Sequence, residues 1–128
     1  MFELEVDANF SAAHFLRGYQ GKCENLHGHN YKVRLTVAGP SLNHIGLLVD
    51  FKELKRSMGT VLERLDHCNL NDLEMFRDAN PSAENIAAYL FHEFDAMLGY
   101  STDHPAATVT RVRVWEAEGR SASYIRES

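Results

Sequence analysis

The run Tyr31-Lys32-Val33-Arg34-Leu35-Thr36-Val37 alternates apolar and polar residues without a break, and His27-Gly28-His29 leads straight into it. A period of two is a strand pattern, because successive side chains of an extended chain leave opposite faces. His27 and His29 therefore share a face with Tyr31, Val33, Leu35 and Val37, the row that a sheet turns toward its core. Two imidazoles on the covered side of a sheet can converge on one metal ion, given a third ligand. Gly28 between them adds no side chain to crowd the opposite face.

A second alternating run supplies a candidate for that ligand. Phe2, Leu4, Val6, Ala8 and Phe10 fall on one parity and Glu3, Glu5 and Asp7 on the other. The same parity continues through Ala12 to His14, which becomes an inward histidine at the end of a first strand. By itself it would read as an ordinary strand-end residue; beside His27 and His29 it reads as a ligand. Arg17 to Lys22, with Gly18 and Gly21, is the expected loop to the second strand. That strand runs from about His27 to Ala38 and is ended by Gly39-Pro40.

Asp50 and Glu53 make a capping-box-like start for a first helix. Its expected apolar stripe is Phe51, Leu54, Met58, Val61, Leu62 and Leu65, with the stop at Leu65. Asp66 to Asp72 reads as polar loop. Pro81-Ser82 opens a second helix with Ser82 as N-cap and Gly99 as its stop. Ile86, Leu90, Phe94, Met97 and Leu98 line its buried face, while His92 falls off that stripe toward solvent. A polar loop over residues 101–107 precedes a third strand, Thr108 to Glu116. A turn at Glu118-Gly119-Arg120 leads to a short final strand, Ala122 to Ile125.

This order, ββααββ, predicts an α+β fold: an antiparallel sheet with two helices on one face, in a single domain over residues 1–128. Four strands leave two open edges, and assembly into a closed homo-oligomer is one way to remove them. A chain of 128 residues, 45% hydrophobic, is long enough for a real core. Its net charge of −5 argues against a nucleic-acid partner, whose phosphates need a basic face. A small anionic substrate stays possible beside a local cluster of cations. No segment approaches the roughly 18 apolar residues of a membrane span. Met1-Phe2-Glu3-Leu4-Glu5-Val6-Asp7 lacks the basic start and apolar run of a signal peptide. Cys23 and Cys68 are too few for a disulfide framework, so a reducing cytoplasm is expected.

Three neutral imidazoles with a vacant fourth position form the arrangement of catalytic zinc. Cys23, four residues before His27, leaves a competing reading open, in which it closes the ion into a structural site. Asp66-His67, just after a helix, can act as an oriented general acid/base. On the residues alone, a polar loop with a helix-end histidine on the macrodipole reads better. Glu116 shares the parity of Val112 and Val114. An inward carboxylate needs a partner, either an internal Arg or Lys or a ligand edge with two parallel N–H groups.

Several segments are found together in one family. They are Phe10-Ser11-Ala12-Ala13-His14, Cys23-x-x-x-His27-Gly28-His29-Asn30-Tyr31, Gly46-x-x-Val49-Asp50-Phe51, Leu65-Asp66-His67-x-x-Leu70-Asn71, Asn80-Pro81-Ser82-x-Glu84-Asn85 and Val114-x-Glu116. Over nearly its whole length the chain resembles the 6-pyruvoyltetrahydropterin synthase / 6-carboxytetrahydropterin synthase family. The resemblance implies the tunnelling fold, in which trimers close a barrel and two trimers stack as a homohexamer with sites between subunits. It implies zinc on His14, His27 and His29, and 7,8-dihydroneopterin triphosphate as substrate. Cys23 as thiolate would be the general base, Asp66 and His67 a second proton-transfer unit, and Glu116 the anchor of the pterin ring.

Two reactions occur in that family. The carboxy branch releases acetaldehyde and triphosphate on the way to queuosine and other 7-deazaguanines. The pyruvoyl branch eliminates triphosphate and isomerises on the way to tetrahydrobiopterin. The compact length, the short Arg17–Lys22 loop and Lys22-Cys23-Glu24-Asn25-Leu26-His27 look more like the carboxy branch. Ser82 and Ala117 stand where the family often has threonine. Arg17 and Lys22 are candidate triphosphate contacts, with plain surface charge an equal reading. A non-catalytic zinc-binding module, closed by Cys23, is the reading from another functional class.

Overall fold

In the computed structural model, which describes residues 1–99 and 106–128, the elements follow in order. They are β1 (Phe2–His14), β2 (His27–Gly39), α1 (Phe51–Leu62), β3 (Cys68–Asn69), α2 (Ala83–Gly99), β4 (Thr108–Ala117) and β5 (Arg120–Ile125). Among the described residues the strands form one sheet, ordered β3-β1-β2-β4-β5. β1 and β2 pair antiparallel over their full length, from Phe2 opposite Gly39 to His14 opposite His27. β4 runs antiparallel to β2 and β5 antiparallel to β4.

Apart from Phe2, 45% exposed at the start of β1, the period-two rows sort as their parity requires. Val6, Phe10, Tyr31, Val33, Leu35, Val37, Val112 and Val114 are buried against α1 and α2. Leu54, Met58, Val61 and Leu62 answer from α1, and Ile86, Leu90 and Phe94 from α2. Each such side chain contributes about 1.5–3 kcal/mol when fully buried, so this seam of two helices on one sheet face carries the fold. Gly39 is required at its position. A Cβ there would fall 2.6 Å from Leu48 Cδ1 and 3.2 Å from the Ala106 carbonyl oxygen.

Asp50 caps α1, its side chain accepting the Lys52 N–H at 2.8 Å. Ser82 Oγ accepts the Asn85 N–H at 3.2 Å, as expected of the residue before α2. His92 is exposed, as its position off the stripe implied.

Three expectations need correction. α1 ends at Leu62, not Leu65, because the Arg64 and Leu65 N–H groups bond three residues back and tighten the chain into turns. Leu65 stays buried, but Phe51 at the first turn is 54% exposed and not part of the stripe. The stretch Asp66 to Asp72 is not simply loop: Cys68 and Asn69 pair parallel with Ala12 and Ala13 as a short edge strand. The loop expected over residues 101–107 lies, apart from its last two residues, outside the described residues.

Candidate active site

β1 and β2 bring three histidines to one point on the covered face. His14 ends β1 opposite His27, the first residue of β2, and His29 lies opposite Ala12. The rings meet edge to face, with centroids 4.6 Å apart for His14 and His27, 5.0 Å for His14 and His29, and 4.8 Å for His27 and His29. One ring nitrogen from each lies within 4.8 Å of the others, so the group could hold a metal ion.

Hydrogen bonding sets the rings for that task. His14 Nδ1 donates to the Pro81 carbonyl at 2.6 Å, and His27 Nδ1 to the Asn25 carbonyl at 2.7 Å. A carbonyl can only accept, so both Nδ1 atoms carry a proton, and in the neutral rings both Nε2 atoms carry a lone pair. Backbone contacts of this kind are how metal-binding histidines are oriented. The two Nε2 atoms then stand 3.0 Å apart, a repulsive arrangement that a cation between them reverses. His29 Nε2 is buried and has no hydrogen-bond partner among the described residues. Burial holds the His14 and His29 pKa values below the usual imidazole value, which keeps both rings neutral and able to ligate. The donor set fits a divalent ion.

Glu116 reaches this cluster, with Oε1 3.6 Å from His14 Nε2. The β4–β5 register skips a residue between Trp115 and Ala117, so Glu116 sits on a bulge. Bulges re-aim a side chain, here toward the histidines rather than along the strand. A carboxylate facing imidazole lone pairs makes the point more attractive still to a cation. Beside it opens a cleft of about 510 Å³ lined by Leu16, Ser82, Glu84, Glu116 and Arg120. Arg120 went unnoticed in the sequence because a turn arginine carries no local signal. Its charge helps depress the His29 pKa, after burial and alongside the neighbouring imidazoles.

Asp66 and His67 occupy the outer edge of β1, not the covered face. Asp66 Oδ1 accepts the Ser11 N–H at 2.8 Å, and His67 N–H donates to the Ser11 carbonyl at 2.6 Å. Asp66 Oδ2 lies 2.9 Å from His67 Nδ1, and His67 takes the left-handed backbone conformation, φ 57°. The His67 side chain is 82% exposed. A groove of about 540 Å³ is lined by His67, Ser11, Gly28 and His29, so one member of the pair and one of the three histidines border the same hollow.

Cys23 is a free, half-buried thiol on the 3-10 turn Lys22–Glu24. It does not join the three-histidine group. The Arg17 guanidinium donates through Nη2 to the Phe76 carbonyl at 2.5 Å and the Ala79 carbonyl at 3.2 Å, while the residue stays exposed. Lys22 is exposed on its turn. Tyr31 packs among these rings, stacked on Phe10 at 4.7 Å, with its hydroxyl buried and unpartnered among the described residues. Its phenol pKa is raised by burial and by the Glu116 charge.

The model of the 6-pyruvoyl tetrahydropterin synthase family matches residues 3–127. The chain belongs to this family. A 6-carboxy-5,6,7,8-tetrahydropterin synthase of Bacillus subtilis is 38% identical over 117 residues, covering 88% of this chain and 78% of the relative. The human 6-pyruvoyl tetrahydrobiopterin synthase is 33% identical over 111 residues, covering 84% of this chain and 72% of the relative. Among solved structures, the Caenorhabditis elegans 6-pyruvoyl tetrahydropterin synthase superposes with a TM-score of 0.84 at 28% identity. That match covers 98% of this chain and 96% of the other. These likenesses show the tunnelling fold of the family and a tetrahydropterin synthase chain. No described helix is long and apolar enough to cross a membrane.

Proposed function

We propose that the chain is a zinc-dependent 6-carboxy-5,6,7,8-tetrahydropterin synthase. It converts 7,8-dihydroneopterin triphosphate to 6-carboxytetrahydropterin, acetaldehyde and triphosphate, a lyase step of queuosine and 7-deazaguanine biosynthesis in the cytoplasm. The observation that carries this reading is the pair of Nδ1–H contacts to Pro81 and Asn25, which leaves imidazole lone pairs converging on one point. His14, His27 and His29 hold the zinc, which when bound supplies Lewis acidity toward a substrate oxygen. Cys23 outside the ligand group supports an open site over a closed structural one.

The chain's own groups divide the remaining work. Glu116 anchors the pterin by accepting from its ring N–H and exocyclic amine, a bidentate, charge-assisted contact. Ser82, on the wall of the same cleft, offers a hydroxyl where the family often has threonine. Cys23, as thiolate, takes a proton from the substrate side chain. His67, with Asp66 at 2.9 Å to orient and stabilise its charged form, handles the second proton. Because Asp66 and His67 sit at the sheet edge, assembly of the single domain, residues 1–128, into a homohexamer brings that pair to a site between subunits.

The human relative and the nematode structure favour a second reading, the pyruvoyl branch of the same family. One experiment separates them. Purified protein is incubated with 7,8-dihydroneopterin triphosphate and the small carbon fragment is identified. Free acetaldehyde is expected; triphosphate release with the side chain retained would move the chain to the pyruvoyl branch. No turnover with zinc fully loaded would overturn both.

A further inference from the structure

Past His14 the chain leaves the sheet, yet its main chain stays laddered on both sides. The Phe15 N–H donates to Asn71 Oδ1 at 2.9 Å, and Asn71 Nδ2 donates back to the Phe15 carbonyl at 3.0 Å. Two residues on, the Arg17 N–H donates to Asn80 Oδ1 at 2.9 Å, and Asn80 Nδ2 returns a bond to the Arg17 carbonyl at 2.9 Å. Each asparagine amide thus stands in for a peptide group of a neighbouring strand, with one donor and one acceptor in the spacing of a ladder. Between them Leu16 points its N–H the other way, to the Cys23 carbonyl at 2.8 Å.

The alternation matters for chemistry. Residues 15 and 17 are held by Asn71 and Asn80, and the N–H of residue 16 is left aimed at Cys23. Asn80 makes a further link. The carbonyl of the next residue, Pro81, takes the His14 Nδ1 proton, and the Asn80 carbonyl is itself fixed by Asn85 Nδ2 at 2.8 Å. A single asparagine therefore joins the residue that sets the His14 tautomer to the segment that tethers Cys23.

We propose that Asn71 and Asn80 are positioning residues whose side-chain amides extend the sheet past His14 and so fix the metal ligand His14 and the thiol of Cys23 relative to each other. This rests on the roles given above to His14 and Cys23. The two asparagines touch neither substrate nor ion; they act through the 14–17 segment. Partners bonded directly to metal-binding histidines are worth about ten- to a hundredfold in metal affinity, and Asn80 adjoins the one His14 uses, Pro81.

The test uses the full chain with Asn71→Ala, Asn80→Ala and the isosteric Asn80→Asp, which keeps the acceptor for the Arg17 N–H but loses the donor. Asn43→Ala is the control: it removes an amide that holds the Ile45 and Leu47 N–H groups in a loop beyond the other end of β2. Two quantities are read: zinc affinity by competition with a chromophoric chelator, and the rate of Cys23 alkylation by iodoacetamide in zinc-loaded protein, assigned by peptide mass.

The Asn71 and Asn80 variants should lose about tenfold or more in zinc affinity and change the Cys23 rate several-fold. Asn43→Ala should lower thermal stability and leave both quantities within about twofold of wild type, the order expected of a residue with no shared partners. Should the alanine variants fail to fold, Asn80→Asp decides the matter. Folded variants that match wild type in both readings would overturn the inference alone. A wild-type chain that binds no zinc would overturn it together with the functional reading.

Discussion

His14 Nε2 stands 3.0 Å from His27 Nε2, and the Nδ1 atom of each ring is committed to a main-chain carbonyl. Neither ring can turn its other nitrogen inward without breaking that contact. Removing one ring therefore leaves two of the three converging imidazoles. His27→Ala should abolish stoichiometric zinc, measured by atomic emission, and turnover with it. A metal-free variant at full activity would end the metal hypothesis.

Glu116 is placed to act on the ligand and not on the fold. Glu116→Gln keeps the shape but replaces one acceptor oxygen with a donor and removes the charge. Losing a charge-assisted contact costs about 2–3 kcal/mol, so pterin affinity should fall about 30- to 100-fold. Zinc content should stay at the wild-type level. Unchanged pterin affinity by titration calorimetry would remove Glu116 from the anchoring role.

Asp66 ties stability to pH. The Ser11 N–H, and then His67, hold its carboxyl below the usual carboxylate range. As pH falls, the unfolded chain therefore takes up the proton first, and stability rises with pH over that window. The Asp66 contribution is complete above about pH 4 and is lost as pH falls through the depressed native value. Asp66→Asn lacks this ionisation. Its urea midpoint should differ from wild type at about pH 6, and the difference should shrink toward about pH 3. A gap that stays constant across that range would show that the carboxylate charge does not matter there.

Tyr31 carries a hydroxyl in a fully buried position with no hydrogen-bond partner among the described residues. An unsatisfied buried donor costs about 1–3 kcal/mol, while the ring is well packed on Phe10. Tyr31→Phe should therefore raise the stability of the metal-free protein by about 1 kcal/mol in urea unfolding. A destabilised variant would mean that the hydroxyl has a partner, such as a buried water.

β3 covers β1 only at Ala12 and Ala13, so most of the β1 edge lacks a strand partner among the described residues. At the other side β5 is an edge as well. Such edges invite pairing between copies. Gel filtration with light scattering should give a mass that is a multiple of 14.5 kDa, six-fold for the expected hexamer. A stable monomer at micromolar concentration would remove the inter-subunit site.

The residues alone determined what depends on local periodicity. The parity of Phe2 to His14 and of His27 to Val37 placed three histidines on one covered face, because side chains of a strand alternate whatever the rest of the chain does. Asp50 and Ser82 announced their helices by the same kind of short-range chemistry, an oxygen reaching the first free N–H groups. Glu116 was legible as an inward carboxylate, but its reach to His14 came from a bulge that no local pattern records. Only the tertiary structure decided which side chains serve the backbone of distant segments. Arg17 gained contacts to the Phe76 and Ala79 carbonyls, and Asn71 and Asn80 became rungs for Phe15 and Arg17. Asp66 and His67 became the edge clasp of Ser11. These partners lie more than fifty residues apart in sequence, so the hydrogen bonds that assign their roles exist only once the sheet has formed.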